Sequence, residues 1–168
     1  VKKGDKIVYQ VWLDTTNLKA SDNIQAVGIS DKYEADKLEI NVADIKAYDS
    51  VTGVDVTDKF DITVNNGVIT ATSKASFIKD INNDPVIDTT LFEFGRYYKF
   101  DIPATVKMTT PNGVDIENTA NQIVHQYDPT HRNITKPEKP TQKRVVNLPV
   151  PLEFDFTKKL DGRNLVEN

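Results

Sequence analysis

Apolar residues alternate with polar ones along most of the chain. From Tyr98 the apolar positions fall at Phe100, Ile102, Ala104, Val106 and Met108, with Lys99, Asp101 and Lys107 between them. A period of two sends successive side chains to opposite faces, so this run predicts a half-buried β-strand. A second run, Phe60, Ile62 and Val64, meets Asn65-Asn66-Gly67 and continues as Val68-Ile69-Thr70-Ala71-Thr72. Asn-Gly between two such runs predicts a hairpin, because a type I′ turn needs positive φ at both central residues. Residues 6–13 are rich in β-branched and aromatic side chains and predict an opening strand. Further strands are expected over 24–29, 40–48, 116–127 and 145–156. Turn signals such as Ser50-Val51-Thr52-Gly53 and Pro111-Asn112-Gly113 separate several of them. Only residues 34–38 invite a helix, as a single turn. Many short strands with turn punctuation predict an all-β sandwich.

The end of the chain changes character. Pro137, Pro140 and the charges around them read as an extended, solvated loop over 135–143, inside the domain because a strand pattern follows at once. Val150, Leu152, Phe154 and Phe156 then alternate well, but the sequence turns polar from Thr157 and no pairing strand follows. The expectation is one domain over 1–152, with 153–168 leading into a following module.

Composition narrows the class. With 168 residues, 38% hydrophobic content and a net charge of −4, the chain is long and apolar enough to fold around its own core. Its mild acidity, with scattered Lys and Arg, argues against a nucleic-acid partner. No apolar run approaches the ~20 residues that span a bilayer, so membrane insertion is not expected. There is no cysteine, which excludes disulfides, thiolate metal sites and thiol nucleophiles.

Candidate chemistry is sparse. His125 and His131 lack partners at a metal-binding or catalytic spacing and read as surface residues. No nucleophile elbow, zinc-protease or phosphate-loop motif occurs. Asp80-Ile81-Asn82-Asn83-Asp84 is rich in oxygen; such Asx-rich loops are usually turns and no cofactor is expected, but calcium takes six to eight oxygen ligands, which makes Asp80, Asn82 and Asp84 the candidate ligands of the alternative. The segment lacks the glycine and closing glutamate of an EF-hand loop. Trp12, Tyr9, Tyr97, Tyr98 and Phe92 could form a binding face, but aromatics within strands more often fill a core, and that is the role expected of them.

Three stretches carry a resemblance: Gly4-Asp5-Lys6-Ile7-Val8-Tyr9-Gln10-Val11-Trp12-Leu13-Asp14, Val114-Asp115-Ile116-Glu117-Asn118-Thr119-Ala120 and Val145-Val146-Asn147-Leu148-Pro149. Together they resemble the isopeptide-forming adhesin domain of the streptococcal antigen I/II type, which also occurs in aggregation-substance-like, wall-anchored adhesins of Gram-positive cocci. The resemblance runs from Gly4 to about Pro151. The tail from Phe156 to Leu165 resembles the opening strand of a pilin-type domain, which is what 153–168 would begin.

The resemblance implies an immunoglobulin-like β-sandwich variant in which a first-strand lysine bonds to a last-strand asparagine, assisted by a nearby acid. Burial makes such a lysine a neutral nucleophile and keeps the acid protonated, so the acid can polarise the amide. The amine attacks, ammonia leaves, and the strands are joined once per molecule. Carried onto this sequence, the bond-forming asparagine is Asn147, the assisting acid Asp49, and the position aligned with the lysine Gln10. Glutamine has no nucleophilic amine, and Lys6, on the same strand face, is the nearest substitute. Asn147 also has the opposite parity to Leu148, Val150, Leu152 and Phe154 and is expected to point outward if they point inward. The expectation is a domain that keeps the fold and carries at most this single bond, not an enzyme with turnover.

The leading functional reading is a structural or adhesive module of an extracellular, wall-anchored surface adhesin. Its partners would be neighbouring domains of the same protein and a host glycoprotein or another bacterial surface. A second reading is direct ligand binding through the loops at 125–143 and 78–88, because sandwich loops carry recognition. A third, a carbohydrate-active sandwich enzyme, needs two carboxylates across a cleft, and no spacing here identifies them.

Overall fold

A computed structural model describes residues 1–74, 77–79, 83, 85–136 and 142–150. In chain order the strands are β1 (Lys6–Asp14), β2 (Ile24–Tyr33), β3 (Leu38–Glu39), β4 (Lys46–Asp49), β5 (Phe60–Asn65) and β6 (Val68–Ser73), then β7 (Phe77–Lys79), β8 (Pro85–Ile87), β9 (Tyr97–Val106), β10 (Val114–Asp128), β11 (Asn133–Thr135) and β12 (Gln142–Leu148). The helical content described is three short 3₁₀ turns, at Ala20–Asp22, Val42–Asp44 and Thr57–Lys59. No helix among the described residues is long and apolar enough to cross a membrane.

Two antiparallel sheets form the sandwich. One is four-stranded: β9 pairs with β1 on one side and with β3 and β4 on the other. Pro103 suits the second side. It falls in the gap between the last β4 partner, Asp101, and the first β3 partner, Thr105, where no ladder bond needs its missing N–H. The other sheet is six-stranded, running β10-β2-β6-β5, with β11 and β12 along the outer side of β10. β7 and β8 form a separate hairpin.

The inward positions follow the period of two. Tyr9, Val11 and Leu13 of β1 and Tyr98, Phe100, Ile102, Ala104 and Val106 of β9 are buried, facing Val27, Ile29, Ile69, Ala71, Ile116, Ala120 and Val124 of the other sheet. Aromatic rings close one part of the core. Phe60 packs edge-on against Phe92, Tyr98 and Phe100 at centroid distances of 5.5, 6.0 and 4.9 Å. Such pairs add roughly 1 kcal/mol each beyond the area they bury. The Tyr98 hydroxyl donates to the Glu93 carbonyl at 2.7 Å, so its burial leaves no orphaned group.

The β5–β6 hairpin turns through Asn66 and Gly67 at φ of 50° and 78°, the left-handed pair its sequence predicts. Residues 34–38 form the single turn expected, closed by the Leu38 N–H on the Glu34 carbonyl. Three expectations need correction. The strand expected over 40–48 is interrupted: the Asn41 side chain accepts from the Ala43 N–H, caps the 3₁₀ turn Val42–Asp44, and leaves β3 and β4 as separate pieces. Met108 is exposed, because β9 ends at Val106. Val150 is exposed too, although Leu148 of the same parity is buried; β12 ends at Leu148, so the parity of Val150 no longer fixes its direction.

Candidate functional site

The residues picked from the sequence for a cross-link are not assembled into one centre. Lys6 and Gln10 lie on the outward face of β1, opposite Thr105 and Asp101 of β9, and both are exposed. Asn147 is on the other sheet, opposite Asp115, where its side-chain amide donates to the Asp115 carboxylate at 2.8 Å in an exposed position. Its outward direction follows the parity expected. Asp49 ends β4 and is buried, but it accepts from the Arg96 guanidinium at 2.6 Å and from the Val51 N–H at 2.8 Å. Burial works to raise its pKa, yet the Val51 and Arg96 hydrogen bonds outweigh it and hold the carboxyl below the usual carboxylate range. An assisting acid must hold a proton, and Asp49 is kept ionised, so it does not suit that role where it stands.

Asp80, Asn82 and Asp84, the candidate calcium ligands, lie outside the described residues. Among the described residues no group of three or more His, Asp or Glu could hold a metal ion. His131 is exposed and contacts the Asp128 carboxylate at 2.6 Å, whereas burial and then Lys136 lower the pKa of His125. Trp12 and Tyr97 depart from the core role expected of the aromatics. They meet edge-on at 6.3 Å and are 40% and 44% exposed.

The inner face of the six-stranded sheet holds polar residues that were not singled out from the sequence. Asp31 of β2 and Asn118 of β10 are both fully or almost fully buried, and the Asn118 amide donates to Asp31 Oδ2 at 2.7 Å. Asn118 is the diagonal neighbour of Asp31, whose direct partner is Ala120. Burial pushes the Asp31 carboxyl up to about 6, against a smaller lowering by the Asn118 hydrogen bond. Across the core, burial and then the charge on Asp31 push the Tyr9 hydroxyl up to about 12. The Tyr9 hydroxyl, Asp31 Oδ1 and Asn118 Oδ1 have no hydrogen-bond partner among the described residues. The signal was available in the parity, since Asp31 follows Val27 and Ile29 and Asn118 lies between Ile116 and Ala120.

The seam between the two sheets is closed at one end by side-chain amides. Gln122 of β10 accepts from the Asp14 N–H at 2.9 Å and donates to the Asp14 carbonyl at 2.8 Å. Gln142 of β12 makes the same pair of bonds to Trp12, at 3.3 and 2.8 Å. Each amide acts as a one-residue strand against the edge of β1. At the other end of the seam, the Val1 amino group donates to the Asn147 carbonyl at 3.1 Å.

Comparison with known proteins fits this geometry. The family described as the cell surface antigen I/II C2 terminal domain matches residues 1–135. Compared with curated protein sequences, the chain has no match. Among solved structures it is similar to the major pilin subunit BcpA of Bacillus cereus, at 18% identity and a TM-score of 0.58, over 89% of this chain and 36% of that one. It is similar to the pilus 2b backbone protein of group B streptococcus at 17% identity and a TM-score of 0.56, over 87% of this chain and 53% of that one. It is also similar to the C-terminal domain of the AgI/II polypeptide BspA of Streptococcus agalactiae, at 12% identity and a TM-score of 0.51, over 86% of this chain and 43% of that one. At these identities the likeness establishes the fold, an immunoglobulin-like sandwich, and the chain spans only about a third to a half of the length of each structure.

Proposed function

Because the chain belongs to the family of the cell surface antigen I/II C2 terminal domain, we propose that it is a structural, non-enzymatic module of a wall-anchored adhesin on a Gram-positive surface. In this reading it stands beside other domains of the same protein and supports attachment to host glycoprotein or to other bacteria. The observation that carries the reading is how the first strand is held. β1 runs in register with β9 from Lys6 to Asp14, while Gln122 and Gln142 grip its outer edge at Asp14 and Trp12. Unpeeling β1 therefore breaks a full ladder on one side and four amide hydrogen bonds on the other. That suits a part whose task is to keep its shape between neighbours.

A cross-link is not needed for this hold. A nucleophilic lysine must be buried to be neutral, and the buried polar residues described are Thr15, Asp31, Asp49, Thr110 and Asn118. We therefore propose that the domain folds without the isopeptide bond.

The test is a module swap in the parent adhesin. Replacing this domain with an unrelated sandwich domain of similar length should leave adherence of the displaying cells near the parental level. Adherence abolished by the swap, with surface display unchanged, would mean that the domain itself recognises the ligand, and the structural reading would fall.

A further inference from the structure

The hydrogen bonds fix which backbone groups of β1 face outward from the sheet. Asp5 and Thr15 bond to Val106 and Arg96 of the β9 side, so the odd residues of β1 carry the ladder to β9. The even residues turn their N–H and C=O groups to the other edge. At Asp14 and Trp12 those groups are taken by Gln122 and Gln142. At Lys6, Val8 and Gln10 they have no partner among the described residues.

This open stretch borders a groove of about 290 Å³ between β1 and β12, with Val8, Gln10 and Trp12 on one wall and Arg144, Val145 and Val146 on the other. Val8 is 56% and Val145 52% exposed, so the walls offer apolar contact beside unused backbone groups. Exposed strand edges are ordinarily blunted by charged side chains, lysine above all, by proline, by a bulge or by a covering loop. Lys6 is such a charge at the start of β1, and among the described residues no proline, bulge or covering loop guards Val8 or Gln10. The charge of the site is one-sided. Lys6 and Arg144 are exposed and have no acidic partner among the described residues, whereas the neighbouring Lys143 is paired with Glu117.

We propose that this seam is a docking site for an extended strand of another polypeptide, in which apolar side chains alternate with acidic ones. The strand adds to the edge of β1 through the N–H and C=O groups of Lys6, Val8 and Gln10. Its apolar side chains lie on the outward face beside Val8, and its carboxylates, on the opposite face, meet Arg144, which shares the inward parity of Val146 and Leu148. Backbone pairing supplies affinity and Arg144 supplies the preference for an acidic partner. The inference is independent of whether the parent protein is an adhesin.

The probe is a short synthetic peptide alternating valine with glutamate, compared with the same peptide carrying lysine in place of glutamate. It is titrated into the full chain while backbone amide resonances are followed. The acidic peptide should bind at least about tenfold more tightly than the basic one and move the amide signals of Lys6, Val8 and Gln10 first. Val8→Pro removes an N–H that β9 does not use, and Arg144→Glu reverses one exposed charge. Each should weaken binding by about tenfold or more, a change of about 1.4 kcal/mol. An unfolding curve for Val8→Pro that matches the parent shows that the edge alone was altered, and Arg144→Glu carries the test if proline disturbs the strand. Equal binding of the two peptides, or undiminished binding by Arg144→Glu and a folded Val8→Pro, overturns the proposal. So does strong protection of the Val8 and Gln10 amides from exchange in the free chain, because the edge would then already be occupied by the chain's own residues.

Discussion

Replacing Asp31 with asparagine should raise the stability of the domain above neutral pH by as much as about 3 kcal/mol and flatten its dependence on pH. The folded chain holds the Asp31 carboxyl at about 6 against an ordinary 3.8, because burial disfavours the charge more than the Asn118 hydrogen bond favours it. The folded state thus keeps a proton that the unfolded chain releases. Its contribution to stability is fully present below the ordinary carboxylate pKa and is lost as pH rises through about 6. Above that, folding must bury a carboxylate with one amide donor and an unpartnered Oδ1. Asparagine keeps the shape and removes the charge. Urea unfolding of both proteins between about pH 4 and pH 8 measures this, with curves that converge in acid and separate towards neutrality. Parallel curves across the range would show that Asp31 does not titrate as its burial requires.

The second large effect belongs to Gly28. A Cβ built there would lie 1.8 Å from the Ala71 carbonyl oxygen and 2.9 Å from its carbon, and both are backbone atoms of the neighbouring strand β6. A flexible side chain could swing aside, but this neighbour cannot move without shifting the ladder between β2 and β6. Gly28→Ala should therefore destabilise the domain by roughly 3 kcal/mol or more, at or above the upper end of ordinary overpacking. Alanine would otherwise stabilise a strand by reducing the freedom of the unfolded chain. The sign of the change thus reports the clash directly. A midpoint in denaturant equal to or above that of the parent would mean that the two strands are not so closely apposed.

Both effects lie in the middle of the six-stranded sheet, and they differ in how far the sequence announces them. The alternation from Tyr98 to Val106 and the Asn-Gly hairpin were legible, because a period of two and positive φ at a turn are local properties. The break in 40–48 was less so. The stretch carries enough Ile and Val to read as one strand, while the cap at Asn41 depends on a single side-chain hydrogen bond. The close approach at Gly28 is a tertiary fact that no local pattern contains.

For the candidate site, parity was a better guide than motif alignment. Tyr9, Val11 and Leu13 are the apolar positions of β1, so Lys6 and Gln10 must face outward, as they do. The same count places Asp31 and Asn118 inside, although both read locally as ordinary surface polar residues. Gln122 and Gln142 could not be found this way, because their role depends on how the edge of β1 approaches the other sheet.

What holds the two sheets together, on this account, is apolar packing across the core and the paired amides along the seam, with no covalent staple. The intact mass of the purified, denatured chain, followed by peptide mapping, tests that claim most directly. The expected result is the full mass of the sequence and separate peptides for β1 and β12. A mass short by one ammonia, with a cross-linked peptide joining a lysine to Asn147, would contradict it.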